Sequence, residues 1–505
     1  MNGDPRSEVG RVIGYPHDSE PLQFWVGVSP ESYLQLDDIT AVTSHIPERG
    51  GVTHYGVVDE VHSFYEGAKF ASDVFRVQDG VLPVGVATIA HVSVTRVGNL
   101  DEPEIYVPPR PGQAVRRAAA EERDKALYFD GMKRRFAIGL ARDGEPLWGN
   151  LDFLDGTRGA HINISGISGV ATKTSYALFL LYGLFHSDVL GADRTNSRAL
   201  IFNVKGEDLL FLDKPNAHQS DEEAARYRAL GLPAQPFQDI SLWAPVAQSA
   251  IEPIPDVNSR QEGVKSYFWS IRRFCSEGLL PFLFTDAARE TNQLQFAVTM
   301  ATDFLRREVE RSKTPTDKGW VRFQDDEHIT DFQDLVRYIN NHQDNIFPQH
   351  TRIAPGTISA FIRRLYGAAP WVGHLIRKSE SPQEEEDHFL DWGRSQLNVV
   401  HIANLHDIAM RFVVGVTLKR LMEEKGKSGR QPLVFVVLDE LNKYAPTEGW
   451  SPIKEVVLDI AERGRSLGVI LVGAQQTASE VERRVVANAA FRVVGRLDTA
   501  EAQRG

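Results

Sequence analysis

Two hydrophobic periodicities divide the chain. In residues 1–100, short runs of Val, Ile, Phe and Thr alternate with turns of Gly, Pro, Asp and Ser. The runs are Val9–Ile13, Phe24–Val28, Ile39–Val42, Thr53–Val58 and Ala87–Val97. Short strands at this spacing predict a small β-barrel or sandwich. Residues 101–150 read as a connector and hairpin region. Pro108, Pro109 and Pro111 bar a regular helix there. A short charged helix is expected at about Ala114–Leu127, then a hairpin at Phe136–Phe153.

From residue 151 the pattern is strand and helix in alternation. Ile162–Ile164 is β-like and leads through a glycine turn into an almost continuous apolar helix that reaches Phe185. Ala199–Val204 (ALIFNV) is a second buried strand. Residues 206–395 change character. Asp221–Leu230, Gly263–Cys275, Arg289–Lys313, Asp331–Asn341 and Thr357–Leu365 carry helical spacing, which predicts a helical insertion. Alternation resumes in 396–505. Strands are expected at Leu397–Leu405, Leu433–Leu438, Val469–Gly473 and Arg492–Leu497, with helices at Asp407–Lys425 and Glu455–Leu467. A continuous apolar run such as LVFVVL suits a parallel sheet buried on both faces. The fold class is therefore α/β, a doubly wound core in two segments, 151–205 and 396–505, with an N-terminal barrel and a large insertion.

Composition adds bounds. At 505 residues the chain holds two or three cores. A net charge of −12 argues against a uniformly basic coat for nucleic acid, while leaving room for a local basic lining. The one cysteine, Cys275, excludes an internal disulfide framework and suits a reducing cytoplasm. The N-terminal MNGDPRSEVG has no apolar run, so no signal peptide is expected, and no stretch is apolar enough to predict a membrane span.

The chemistry begins at HINISGISGVATKTS, His161–Ser175. Strand, glycine turn, Lys-Thr and helix make the layout of a phosphate-binding loop. The turn's backbone N–H groups (Gly166, Ser168, Gly169, Val170, Ala171, Thr172) face an anion, Lys173 meets the outer phosphates, and the hydroxyl of Thr174, followed by Ser175, meets Mg²⁺. The spacing departs from G-x-x-x-x-G-K-[ST]. Lys173 stands one residue late, and Thr172 replaces the glycine before it.

A second feature is LVFVVLDELNKYAP, Leu433–Pro446, in which an apolar strand delivers Asp439 and Glu440 at its C-terminal end. Ligands of open α/β sheets bind at that edge. One acid can hold the metal and the other polarise a water. Alone, the pair also fits a solvent-facing acidic turn; with the loop it marks a nucleotide site. A third feature, Ile460–Leu497, ends a strand in Gln475, able to contact a γ-phosphate or the attacking water. Arg463 and Arg465 close the preceding helix, as caps of its carbonyls or as fingers toward a neighbouring subunit. His161 reads as structural, the fifteen histidines show no zinc spacing, and Ser168 does not complete a G-x-S-x-G elbow. The basic clusters Lys133–Arg135, Arg306–Arg307 with Arg311 and Lys313, and Arg483–Arg484 read as solvated faces before DNA contacts.

These segments resemble the HerA-type ATPases of the HerA/FtsK superfamily. The likeness rests on the N-terminal β-barrel, His161–Gly166, LDELNKYAP and ERGRSLGVILVGAQQ. It implies a RecA-like P-loop core and an ATP- and Mg²⁺-dependent, ring-forming translocase of double-stranded DNA. Such a protein is a homo-oligomer, expected as a hexamer in the cytoplasm. Its partner is a NurA-like nuclease in DNA end processing or another effector in phage defence. By the same resemblance Lys173 and Thr174 bind phosphate and Mg²⁺, Asp439 is the metal acid, Glu440 the catalytic acid and Gln475 the sensor. Arg465, with Arg463 second, is the trans finger. Such relatives continue beyond the segment matching Arg492–Leu497. The irregular loop favours an alternative, a slow or non-motor nucleotide-binding scaffold that assembles and activates an effector. A secretion or conjugation ATPase is a third reading.

Overall fold

Alternating apolar residues close six strands between Glu8 and Arg117 into a barrel. In the computed structural model, which describes residues 8–48, 50–68, 70–98, 105–166, 173–248, 250–284, 292–497 and 501, the chain divides into two compact units, Met1–Arg135 and Phe136–Gly505. The first holds β1 (Glu8–Val12), β2 (Gln23–Val28), β3 (Ile39–Ile46), β4 (Gly50–Tyr65), α1 (Asp73–Gln78), β5 (Val86–Val97), β6 (Ala114–Arg117) and α2 (Glu121–Ala126). The strands form a closed antiparallel barrel in the order β1-β2-β5-β4-β3-β6. Phe24, Val26, Val42, Val58, Val92 and Val115 fill it.

The predicted helix at Ala114–Leu127 is corrected here. Its first residues are β6, which pairs with both β1 and β3 and seals the barrel, and only Glu121–Ala126 is helical. Val115 is buried inside while Arg116 and Arg117 stay partly exposed, so the long-range pairing overrides the charged local composition.

The second unit opens on a hairpin, β7 (Arg135–Leu140) and β8 (Pro146–Asn150), followed by β9 (Ile162–Ser165), α3 (Lys173–His186) and β10 (Arg198–Asn203). Next come α4 (Asp221–Ala229), β11 (Ile240–Pro245), β12 (Val264–Tyr267), β13 (Trp269–Ser270), α5 (Ile271–Ser276) and α6 (Asn292–Glu310). A small hairpin β14 (Val321–Arg322)–β15 (His328–Ile329) precedes α7 (Phe332–Asn341), α8 (Gln343–Ile346), α9 (Pro355–Val372), β16 (Ile376–Arg377) and α10 (Pro382–Asp387). The core resumes with β17 (Leu397–His401), α11 (Asp407–Ser428), β18 (Val434–Asp439), α12 (Pro452–Leu467), β19 (Val469–Gln475), α13 (Arg483–Ala487) and β20 (Phe491–Val494).

Eight strands make one parallel sheet, in the order β12-β11-β17-β10-β18-β19-β9-β20. The insertion is thus not helical throughout. Its β11 and β12 extend the sheet beyond β17, and Gly263–Cys275, expected as a helix, is strand in its first part (β12 and β13) and helical only from Ile271. ISLWAP and VKSY are too short for periodicity to distinguish strand from helix.

Strand residues alternate between two apolar cores. Ala199, Ile201, Phe435, Val437, Ile470 and Val472 face α3. Leu200, Phe202, Val434, Val436, Leu438 and Leu471 face α11, α12 and the insertion's helices. Cys275 is buried in that second layer. With both faces covered, the strands' polar ends are presented at the sheet's C-terminal edge.

Candidate functional site

Four adjacent strands, β10, β18, β19 and β9, end at that edge. Gly166 follows β9, and its N–H donates to the backbone oxygen of Gln475 (3.2 Å). Lys173 opens α3. Ser168, Gly169, Val170, Ala171 and Thr172 lie outside the described residues. Lys173 is buried at 5% exposure, and its ammonium donates to the carbonyl of Gly166 (3.0 Å). Burial pulls its pKa below the usual lysine value. Asp439 pulls it back up, Lys205 pushes it down, and Glu440 raises it again.

Asp439 is the hub. It ends β18, opposite Ala474 of β19, and is 1% exposed. Its Oδ1 accepts the backbone N–H of Glu440 (2.8 Å). Its Oδ2 accepts the Thr174 hydroxyl (2.6 Å) and the Lys205 ammonium (2.8 Å). A buried carboxylate needs such partners, because desolvation of an unpaired charge costs several kcal/mol. Ser175 is exposed on the next position of α3.

The backbone turns sharply after Asp439. Glu440 adopts φ 55°, ψ 48°, the left-handed region that a non-glycine residue enters at a cost of about 1 kcal/mol. The turn carries the Glu440 side chain off the strand's alternation, where its Oε2 pairs with Lys443 (2.5 Å) at 24% side-chain exposure. Beneath lies Tyr444, fully buried, its hydroxyl without a partner among the described residues. Its pKa is pushed up, by burial first and then by Glu440, Asp407 and Asp439.

Gln475 ends β19 but points into the sheet. Its Nε2 donates to Asn163 Oδ1 and to Ser165 Oγ, both at 2.7 Å, and its Oε1 accepts from Asn163 Nδ2 (3.4 Å). Both amide hydrogens are thus spent on β9, so Gln475 ties β19 to the strand that carries the phosphate loop.

Arg463 and Arg465 are not brought to this edge. They close α12, which runs back toward the start of β19 at the opposite edge of the sheet. Arg463 is exposed and pairs with Asp459 one turn earlier. Arg465 donates to the carbonyls of Gly156 (3.1 Å) and Thr157 (3.0 Å). The basic clusters are partly occupied: Arg306 bonds the Glu277 carbonyl, Lys313 pairs with Asp326, and Arg484 with Glu462.

Lys205, Asn163 and Ser165 escaped the sequence reading. Lys205 lies just past the buried strand ALIFNV, and a cation there reaches the same edge as the aspartate; that was the available signal. The donor set fits a divalent cation. The Thr174 hydroxyl and the Asp439 carboxylate are adjacent hard oxygens, the ligand type that Mg²⁺ requires.

No family model and no curated protein matches the chain. Among solved structures it is similar to VirB4 of Thermoanaerobacter pseudethanolicus, with 15% identity over 73% of this chain and 86% of that one and a TM-score of 0.40. The unbound bacterial conjugative coupling protein TrwBΔN70 gives 12% identity, coverage of 70% and 71%, and a TM-score of 0.35. The cytoplasmic domain of EssC gives 11%, coverage of 74% and 39%, and 0.28. At these values each is a distant likeness, and no residue role passes from them. No described helix is long and apolar enough to cross a membrane.

Proposed function

We propose that this chain is a Mg²⁺-dependent ATPase that works as a ring, translocating double-stranded DNA together with a nuclease or another effector. One observation carries the nucleotide site: Thr174 Oγ1 lies 2.6 Å from Asp439 Oδ2, although 265 positions separate them in sequence. A strand-to-helix loop with its lysine, a hydroxyl and a strand-end acid meet at the sheet edge where ligands bind.

In this reading Lys173 leaves the Gly166 carbonyl for the outer phosphates. Thr174 and Asp439 would hold the cation, which when bound would neutralise charge on the phosphates. Glu440, set beside but not on Asp439 by its left-handed turn, orients the attacking water and takes its proton. Gln475 fixes the strand from which the loop springs. DNA translocation and the ring are supported by the resemblance of ERGRSLGVILVGAQQ to the HerA-type stretch, and by the position of Arg463 and Arg465. The sixteen residues of α12 span about 24 Å. Arginines at its far end serve another subunit's nucleotide rather than their own.

A second reading, the slow scaffold, is favoured by the late lysine and Thr172. Steady-state ATP turnover with and without linear duplex DNA separates the two, because a motor accelerates on duplex and a scaffold does not. Lys173→Ala and Glu440→Gln are each expected to cut turnover by at least ~100-fold. Undiminished rates in both would sink the site.

A further inference from the structure

We infer that Lys205 is a positioning residue of this site: it is the counter-ion of Asp439 and competes with the divalent cation for the same carboxylate oxygen. The inference rests on the proposed nucleotide site and names a residue that site would not otherwise need.

Three facts support it. Asp439 has no spare oxygen on its strand side, because Oδ1 is taken by the Glu440 N–H. On the open side, Oδ2 is shared by the Thr174 hydroxyl and the Lys205 ammonium. A cation held by Thr174 and Asp439 needs that same Oδ2, and two positive charges about 3 Å apart repel strongly in a buried setting. The Lys205 backbone is also held on both sides, while its side chain is half exposed. Its N–H donates to Asn203 Oδ1 (3.2 Å), Asn203 Nδ2 donates to the Gly206 carbonyl (2.9 Å), and Gly206 takes φ 51°. Glu207, next along, is locked by the N–H groups of Asn258 (2.8 Å) and Ser259 (2.6 Å). On this rigid turn the Lys205 side chain is 49% exposed, so its ammonium can swing off Asp439 without unfolding anything. Lys205 thus neutralises a buried carboxylate and yields it, its charge moving toward the mouth of the site where outer phosphates sit.

The test is Mn²⁺ binding to the nucleotide-free full-length chain, read by electron paramagnetic resonance. Lys205→Met removes the competitor and is expected to tighten Mn²⁺ about tenfold. Lys205→Arg keeps the charge and should bind Mn²⁺ like wild type, which also covers the case in which the neutral variant folds poorly. A Lys205→Met protein that binds Mn²⁺ no tighter, or more weakly, overturns the inference, as does a Lys205→Arg protein as tight as Lys205→Met. Asp439→Asn separates the two levels. If it leaves Mn²⁺ binding intact, the site reading itself has failed. If it abolishes binding while Lys205→Met changes nothing, only the role of Lys205 has failed.

Discussion

Replacing Gln475 tests whether it is a strap between strands or a direct contact of the phosphates. In the structure it is fully buried, and Asn163 and Ser165 are 4% and 5% exposed. Gln475→Leu keeps roughly the volume but removes both 2.7 Å bonds and the 3.4 Å bond. Ser165 Oγ can still donate to Asn163 Oδ1 (3.2 Å), so the loss falls mainly on one amide and half a hydroxyl. At about 1–3 kcal/mol for each stranded buried group, the cost is about 2–3 kcal/mol. Asn163→Ala strands the Gln475 amide instead and costs about 2 kcal/mol. Together the two substitutions leave only the Ser165 hydroxyl unpaired, so the double variant falls short of additivity by about 2 kcal/mol. Hydrogen exchange at the amides of β9 and β19 is the suitable assay, since it reads this part of the sheet without requiring the two units to unfold together. Additivity within about 0.5 kcal/mol refutes the strap. So does a Gln475→Leu protein with unchanged exchange that has nonetheless lost turnover, which would place the amide on the substrate.

His161 gives the chain an acid limit. Its Nδ1 accepts the Leu471 N–H (2.9 Å), the backbone of Ala461 faces the buried ring, and burial lowers its pKa from 6.5 to about 4 against that contact. The folded value is depressed, so the unfolded chain takes the proton first. The stabilisation is complete above pH 6.5 and is lost as pH falls toward 4, about 3 kcal/mol in all. Urea unfolding followed between pH 7.5 and 5 should show this slope, and His161→Gln should lessen it without abolishing it, because burial lowers His374 to about 4 as well; an unchanged slope rejects the assignment. Arg465→Ala removes two bonds to the 156–157 loop, and the trans-finger reading expects nucleotide binding to persist while turnover falls ~1000-fold. Equilibrium binding of a fluorescent ATP analogue beside the turnover assay decides this, and a matching loss of binding counts against a finger.

The parallel sheet was readable in the sequence because β18 and β19 are unbroken apolar runs ending in polar residues, a pattern that only a doubly covered strand tolerates. β6 was not readable, because AVRR becomes a strand only by pairing with β1, roughly 105 positions earlier, and β3, roughly 75 positions earlier, both outside any local window. The strands β11 and β12 were lost among helical spacings for the same reason. In the site, Lys173, Thr174 and Asp439 announced themselves through local motifs. Lys205 did not, since its meaning lies in a carboxylate 234 residues on. Gln475 was placed at the right strand end, but which way its side chain turns depends on Asn163 in the neighbouring strand.

The lone thiol of Cys275 has a practical consequence. It is 1% exposed among the aromatic side chains of the helical layer, and burial pushes its pKa up, so little thiolate forms and little reagent reaches it. Its alkylation therefore waits for that layer to open, and the rate of labelling under native conditions becomes a clock for the opening. Because the native thiol stays silent on the timescale of ordinary maleimide chemistry, a cysteine introduced elsewhere takes a single dye without any background to remove.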